Sequence, residues 1–282
     1  MLRLLMTSKP ILFRSQALSD LHLEIAQQYS TYVFPATAPY LILAGDVGRL
    51  IDYEGYHEFL KVQAARYDKV LLVLGNHEFY GKDYDTGLQQ AAKLCHEPDL
   101  NDKVLLLHRR RWDDPNSDVT ILGCTLWSNI PPASRAMVEY KINDFREIDG
   151  WTAEEHTRVH EEEVTWLREQ SRAISRTEPK RRVLIVTHHA PRMQNTSAPQ
   201  HTGSAWNCAF ATDLLEEKWD GVQTWVFGHT HYSTDFRYRG IRVLANQRGY
   251  VFGKHQEVEE AQIARKGEKS PHSFDAAKVI EM

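Results

Sequence analysis

A chain of 282 residues, 42% of them hydrophobic, can bury a large core, and its net charge of -4 argues against general binding to nucleic acid, which rests on Lys and Arg neutralising phosphates. Three cysteines, Cys95, Cys124 and Cys208, are far apart and odd in number, which excludes a disulfide framework or a cysteine zinc site and suits a reducing compartment. No apolar run reaches the roughly 20 residues that cross a bilayer, and the opening "MLRLLMTSKP" is broken by Arg3 and Ser8 before it makes a signal core, so the expected location is the cytoplasm.

In chain order, apolar β-rich runs predict strands at "ILFRSQAL" before Ser19, "YLILAG" to Gly45, "KVLLVLG" to Gly75, "KVLLL" from Lys103 and "VTILGC" from Val119. Later strands are expected at "RVLIVTH" to His188, "TWVFGH" to His229 and "IRVLAN" to Asn246. Such nearly continuous apolar strands are buried on both faces. Helices are expected at about Asp52–Arg66, Tyr84–Cys95 and Ala153–Ser175, the last opened by a capping box of Thr152 and Glu155. This alternation predicts an α/β protein with its sheets packed between helices, in one domain over 1–282 with a core at about 11–253. Residues 254–271 are charged and weakly patterned, a surface excursion, and a closing strand is expected within 273–281.

Polar residues gather at the strand ends, where open α/β sheets bind ligands. "SDLHLE" carries Asp20 and His22, "AGDVG" carries Asp46, and "LGNHEFY" carries Asn76 and His77. "VTHHAP" carries His188 and His189, and "FGHTH" carries His229 and His231. Asp, Asn and His offer oxygen and imidazole nitrogen donors that suit Mn, Fe or Zn. A D-x-H pair leaving a strand places Asp20 and His22 on one face, because residues two apart share a face. A carboxylate such as Asp46 has two oxygens with which to bridge two ions, and a metal pair can hold a phosphoryl group and activate water near neutral pH. Each piece alone is weak, since a lone His at a strand end is more often a satisfied polar group; five in this order point to a dinuclear site.

The ordered set D-x-H, G-D, G-N-H-E, His and G-H-x-H, from Ser19 to His231, resembles the calcineurin-like metallophosphoesterase superfamily. "LGNHEFYG", "LGCTLWS", "NCAFATDL" and "ANQRGYVFG" are similar to its small bacterial and phage members. The resemblance implies a four-layer α/β/β/α sandwich of two mixed β-sheets flanked by helices. It also implies a dinuclear-metal-dependent phosphoesterase in which a metal-bridging hydroxide attacks phosphorus. Asp20, His22, Asp46 and His231 would hold one divalent or Fe-type ion, and Asp46, Asn76, His188 and His229 the other. His188 is preferred to His189 because it directly ends its strand. His77 would assist the leaving group, which suits imidazole, and Glu78 would brace its loop.

One departure bears on substrate. Relatives that act on phosphoproteins carry G-D-x-x-D-R-G, whereas this chain reads "GDVGRLID", with Arg49 in place of the Asp that orients the catalytic His. That leaves the partner of His77 open and argues against a protein phosphatase. The expected substrate is a small phosphate ester, nucleotides included, a phosphodiester preferred to a phosphomonoester. Contacts are expected from the loops "LWSNIPPASRAM", "INDFREIDGW" and "PRMQNTSAPQHTGSAWN", with Trp127, Arg192 and His201 as candidates. "HRRRW" reads as a solvated charge run. The competing reading is a non-catalytic, partner-binding scaffold of the same superfamily, which would be expected to have lost ligands or His77; every position is filled.

Overall fold

The predicted strands become two sheets in a computed structural model of the chain, which describes residues 12–201, 203–252 and 272–282. β1 (Arg14–Leu18), β2 (Tyr40–Ala44), β3 (Lys69–Val73) and β4 (Val104–Leu106) run parallel in the first sheet. Their order is 1-2-3-4, with the closing strand β11 (Val279–Glu281) antiparallel on the free edge of β1. The second sheet holds β5 (Arg110–Asp113), β6 (Val119–Cys124), β7 (Arg182–Thr187), β8 (Val222–Phe227), β9 (Thr234–Tyr238) and β10 (Ile241–Ala245), in the order 5-6-7-8-10-9. Its four inner strands are parallel and its two edges antiparallel. Both sheets are therefore mixed, as the resemblance implied.

Side-chain alternation explains the layers. Ile42, Ala44, Leu71 and Val73 from the first sheet meet Ile121, Leu184, Val186 and Val226 from the second in one core between the sheets. The intervening residues Leu41, Leu43, Val70 and Leu72 face outward and pack on Phe59 and Leu60 of α1 (Tyr53–Arg66) and on Ala91 and Leu94 of α2 (Tyr84–Cys95). On the far side, Leu122, Ile185, Trp225 and Val243 pack on Leu167 and Ile174. Those two belong to α5 (Ala153–Thr177), which follows the short α3 (Arg135–Lys141) and α4 (Asp144–Glu147). Hence the inner strands such as β2 and β3 carry apolar residues at consecutive positions: both faces are covered.

The sequence reading missed β5, β9, α3 and α4, all short or at an edge. At α5, Thr152 Oγ1 accepts from the Glu155 amide at 3.1 Å, but the Glu155 carboxylate pairs with Arg158, so only half of the capping box forms. All three cysteines are free and buried. The "HRRRW" run is a charged edge, with Arg109 on Glu162 and Arg111 on Asp113 and Glu178. The expected excursion over 254–271 lies outside the described residues. Among the described residues, no helix is long and apolar enough to cross a membrane.

Candidate metal centre and active site

β1 stops at Leu18, and the chain then leaves the extended conformation: Asp20 and His22 have φ of 53° and 47°. The D-x-H pair is thus held together by left-handed turns and not, as expected, by sharing a strand face. The same holds for Asp46 at 52°, His229 at 73° and His231 at 51°. Each such residue costs on the order of 1–3 kcal/mol and survives because its surroundings over-determine it; Asp and His tolerate the region better than most. The turns are fixed by backbone bonds between strand ends, from Asp20 N to Gly45 O, from His22 N to Asp46 O and from Gly228 N to His188 O. At Gly228 a Cβ would stand 2.7 Å from Asp20 Oδ2, so glycine lets these two segments approach.

The strand ends deliver two groups of donors. Ligand atoms of Asp20, His22 and His231 lie within 4.8 Å of one another, and so do those of Asp46, His188 and His229. Asp46 joins them: its Oδ2 is 3.4 Å from His188 Nε2 and 3.7 Å from His22 Nε2. Asn76 Oδ1 stands 3.0 Å from His188 Nε2. His188 donates from Nδ1 to the Ala44 carbonyl at 2.9 Å, which leaves its Nε2 facing the cluster. His189 turns the other way, buried against Trp127, His156 and His229.

Supporting groups fix the donors. Glu78 is buried and accepts from the backbone amides of Gly75, Asp46, Val47 and Gly48 and from the Tyr56 hydroxyl, so it braces the loops that carry Asp46 and Asn76. The Asn76 amide nitrogen donates to Asp144 at 2.7 Å. His77 donates its backbone N–H to Asp46 Oδ1 at 2.9 Å, and its ring Nδ1 donates to Glu24 Oε1 at 2.9 Å. Glu24, two residues beyond His22 in "SDLHLE", is thus the partner of His77 that the sequence left open. A D-x-H-x-E spacing was the available signal. Asp144 was missed because it reaches the cluster from a segment with no strand-end signature, and Tyr80, which closes "LGNHEFY", because a tyrosine is not a usual metal donor.

The electrostatics test whether cations fit. Burial pushes the Asp46 carboxyl up, but the charges of His188 and His77 outweigh it and hold the group well below the usual range. Glu24 is opposed by burial in the same way, yet hydrogen bonds from His22 and His77 hold it at about 2. Burial works against protonated His188, but Asp46 raises it to about 10. A buried cluster that retains carboxylates and recruits protons onto histidine calls for positive charge. Burial keeps His229 well below its ordinary value, so it stays neutral, the form that ligates, and its buried Nε2 has no hydrogen-bond partner. The donor set and this orphaned nitrogen fit divalent cations.

A cavity of about 390 Å³ opens onto Asp46, Asn76, His77, His229 and His231. His201 lines it, as expected of a substrate contact. Trp127 does not: it is fully buried, packed on Trp151 and His189, and the expectation for it is corrected. Positive φ at Leu126 and Trp127 turns that segment inward. Arg192 is corrected too, since it is buried over the Tyr238 ring at 3.7 Å and is absent from the lining. Of the three loops, "INDFREIDGW" and the Pro191–Asn207 segment reach the cavity, and "LWSNIPPASRAM" does not.

Comparison with known proteins agrees with this geometry. A profile described as calcineurin-like phosphoesterase matches residues 17–233. The chain belongs to that family. This calcineurin-like phosphoesterase is 29% identical to "Uncharacterized protein L509" of Acanthamoeba polyphaga mimivirus, over 82% of its own length and 89% of that protein's. Its fold is similar to phosphopantetheinyl hydrolase (PptH) from Mycobacterium tuberculosis, with a TM-score of 0.60, 17% identity and coverage of 84% and 89%. A dimetal phosphatase from Danio rerio gives 0.50, 12%, 85% and 88%. At those identities the likeness shows fold alone. Family membership makes the chain a metal-dependent phosphoester hydrolase with a dinuclear divalent centre.

Proposed function

We propose that the chain hydrolyses a small phosphate ester, a phosphodiester in preference to a phosphomonoester, with His77 protonating the leaving group. Asp20, His22, Asp46 and His231 would hold one cation, and Asp46, Asn76, His188 and His229 the second. The observation that carries this reading is Asp46 Oδ2, which stands within 3.7 Å of a ring nitrogen from each donor group. When bound, the ions would supply Lewis-acid activation of the phosphoryl group and of water. The protein's own part is to seat and orient. Glu24 fixes the His77 ring through Nδ1, so Nε2 is the atom left to deliver a proton. The Tyr250 hydroxyl, 3.1 Å from that Nε2, lines the same cavity.

The test is hydrolysis of bis-p-nitrophenyl phosphate and p-nitrophenyl phosphate with added Mn, Fe or Zn, together with metal content. The expected outcome is faster turnover of the diester, a His77→Ala variant that keeps two ions per chain but loses roughly 100- to 10,000-fold in kcat, and an Asp46→Asn variant that loses ions. If a protein carrying two ions turned over neither ester, the reading as an enzyme would fall in favour of a metal-binding scaffold.

A further inference from the structure

Two walls of the cavity run from the donor cluster to chemistry that ester hydrolysis itself does not need. On one wall Asp144 holds Asn76, and Lys141 precedes it by three residues, so their Cα atoms are at most about 11 Å apart at ~3.8 Å per peptide. On the other, the Phe210 ring stacks on His229 at 4.7 Å, and Trp206 precedes it by four residues, within about 15 Å. The walls meet again where the Lys141 ammonium lies 5.9 Å from the centre of the Trp206 ring.

Both end groups are open for contact. Trp206 keeps 38% of its surface exposed, unusual for an indole on a folded protein. Lys141 is exposed and, among the described residues, is the sole lysine or arginine lining the cavity and has no carboxylate partner. Asn143, Ser204 and Asn207 add neutral donors and acceptors to the same lining. An alkyl group laid there would leave the buried Ser204 Oγ, unpartnered among the described residues, unpaired; a planar heterocycle would stack on the indole and could also meet these polar groups.

Resting on the phosphoesterase reading above, we propose that the cavity takes a nucleotide bearing one phosphoryl group beyond the one seated at the metal cluster. The base stacks on Trp206, and the additional phosphoryl pairs with Lys141. The scissile group lies at Asp46 and His77.

The experiment measures binding on metal-loaded His77→Ala protein, in which turnover is suppressed, by equilibrium dialysis with ADP, AMP and ribose 5-phosphate. AMP is expected to bind more tightly than ribose 5-phosphate by roughly 5- to 100-fold, the range that base stacking on an aromatic side chain provides. ADP should exceed AMP by about 10-fold. Adding Trp206→Ala should abolish the first difference and leave the second, while adding Lys141→Ala should do the reverse. Equal binding of the three ligands overturns the proposal, as does a uniform loss for all three in either variant. Dialysis does not depend on catalysis. Tight, selective ADP binding by a chain that cleaves no ester would therefore leave this proposal standing while the hydrolase reading fell, and ester cleavage without selectivity would do the opposite.

Discussion

Glu24 accepts a hydrogen bond from His77 Nδ1 at 2.9 Å, and the same carboxylate oxygen accepts one from His22 Nδ1 at 3.1 Å. One side chain therefore orients both the expected proton donor and an expected ligand. Burial pushes His77 down, but Asp46 and Glu24 overcome it and raise the ring to about 9. Replacing Glu24 with Gln removes one of the negative charges, so the His77 pKa falls. The ring then loses its proton at a lower pH, and the alkaline limb of the kcat profile moves to lower pH. A loss of roughly 10- to 100-fold in kcat should accompany the shift, the usual effect of removing a group that orients a site residue. A pH profile superimposable on that of the parent would show that Glu24 does not govern the donor.

Asp144 predicts a different defect. Its Oδ1 accepts from Asn76 Nδ2 and from the Tyr80 hydroxyl, each at 2.7 Å, which fixes the Asn76 amide with Oδ1 toward His188. Asp144→Leu would remove the acceptor and let the Asn76 amide turn. The expected result is a drop of about 10- to 100-fold in affinity for one of the two ions, read by chelator competition, with the other barely changed. Unaltered affinity at both would refute the role assigned to Asp144.

The ligand set was legible because each member follows an apolar strand, so one-dimensional order already encodes a shared rim. Glu24 and Asp144 were not read as partners. Glu24 sits after a motif that looks complete without it, and its reach to His77 depends on left-handed turns at Asp20 and His22. Asp144 arrives at the start of α4, 68 residues beyond Asn76. Trp127 misled because an aromatic residue after a strand end suits a substrate wall equally well, and only the inward turn at Leu126 buries it. Edge strand β9, with Thr234 buried and Asp235 and Arg237 exposed, carries an alternating signal that a search for continuous apolar runs overlooks.

Gly75 tests how tightly the bridging carboxylate is seated. A Cβ added there would lie 2.1 Å from Asp46 Oδ1 and 2.6 Å from the Asp46 backbone nitrogen. Moving the nitrogen disturbs Glu78, which accepts from both the Gly75 and Asp46 amides, and moving the oxygen breaks its bond from the His77 amide. Gly75→Ala should therefore cost about 1–3 kcal/mol of stability in the metal-free protein, the range for overpacking, and should also lower metal content. A variant with unchanged denaturation midpoint and two bound ions would contradict this account of the glycine.

Glu163 on α5 provides a stability test away from the metal centre. It is fully buried, and the nearest ionisable nitrogen described is His108 Nδ1 at 3.8 Å. Burial pushes its pKa up to about 8 from an ordinary 4.5. Between these values the native protein keeps a proton that the unfolded chain has released. Native protein then binds more protons than unfolded, so this group's contribution to stability declines as pH rises from 4.5 to 8. Glu163→Gln preserves the shape of the neutral acid without the titration. Its stability relative to the parent should therefore rise by up to ~1.4 kcal/mol per pH unit across that window and level off above it. Urea denaturation of both metal-free proteins from about pH 5 to about pH 9 measures the difference; a constant difference would mean that Glu163 is ionised in the fold, and that a partner for its charge must be sought along α5.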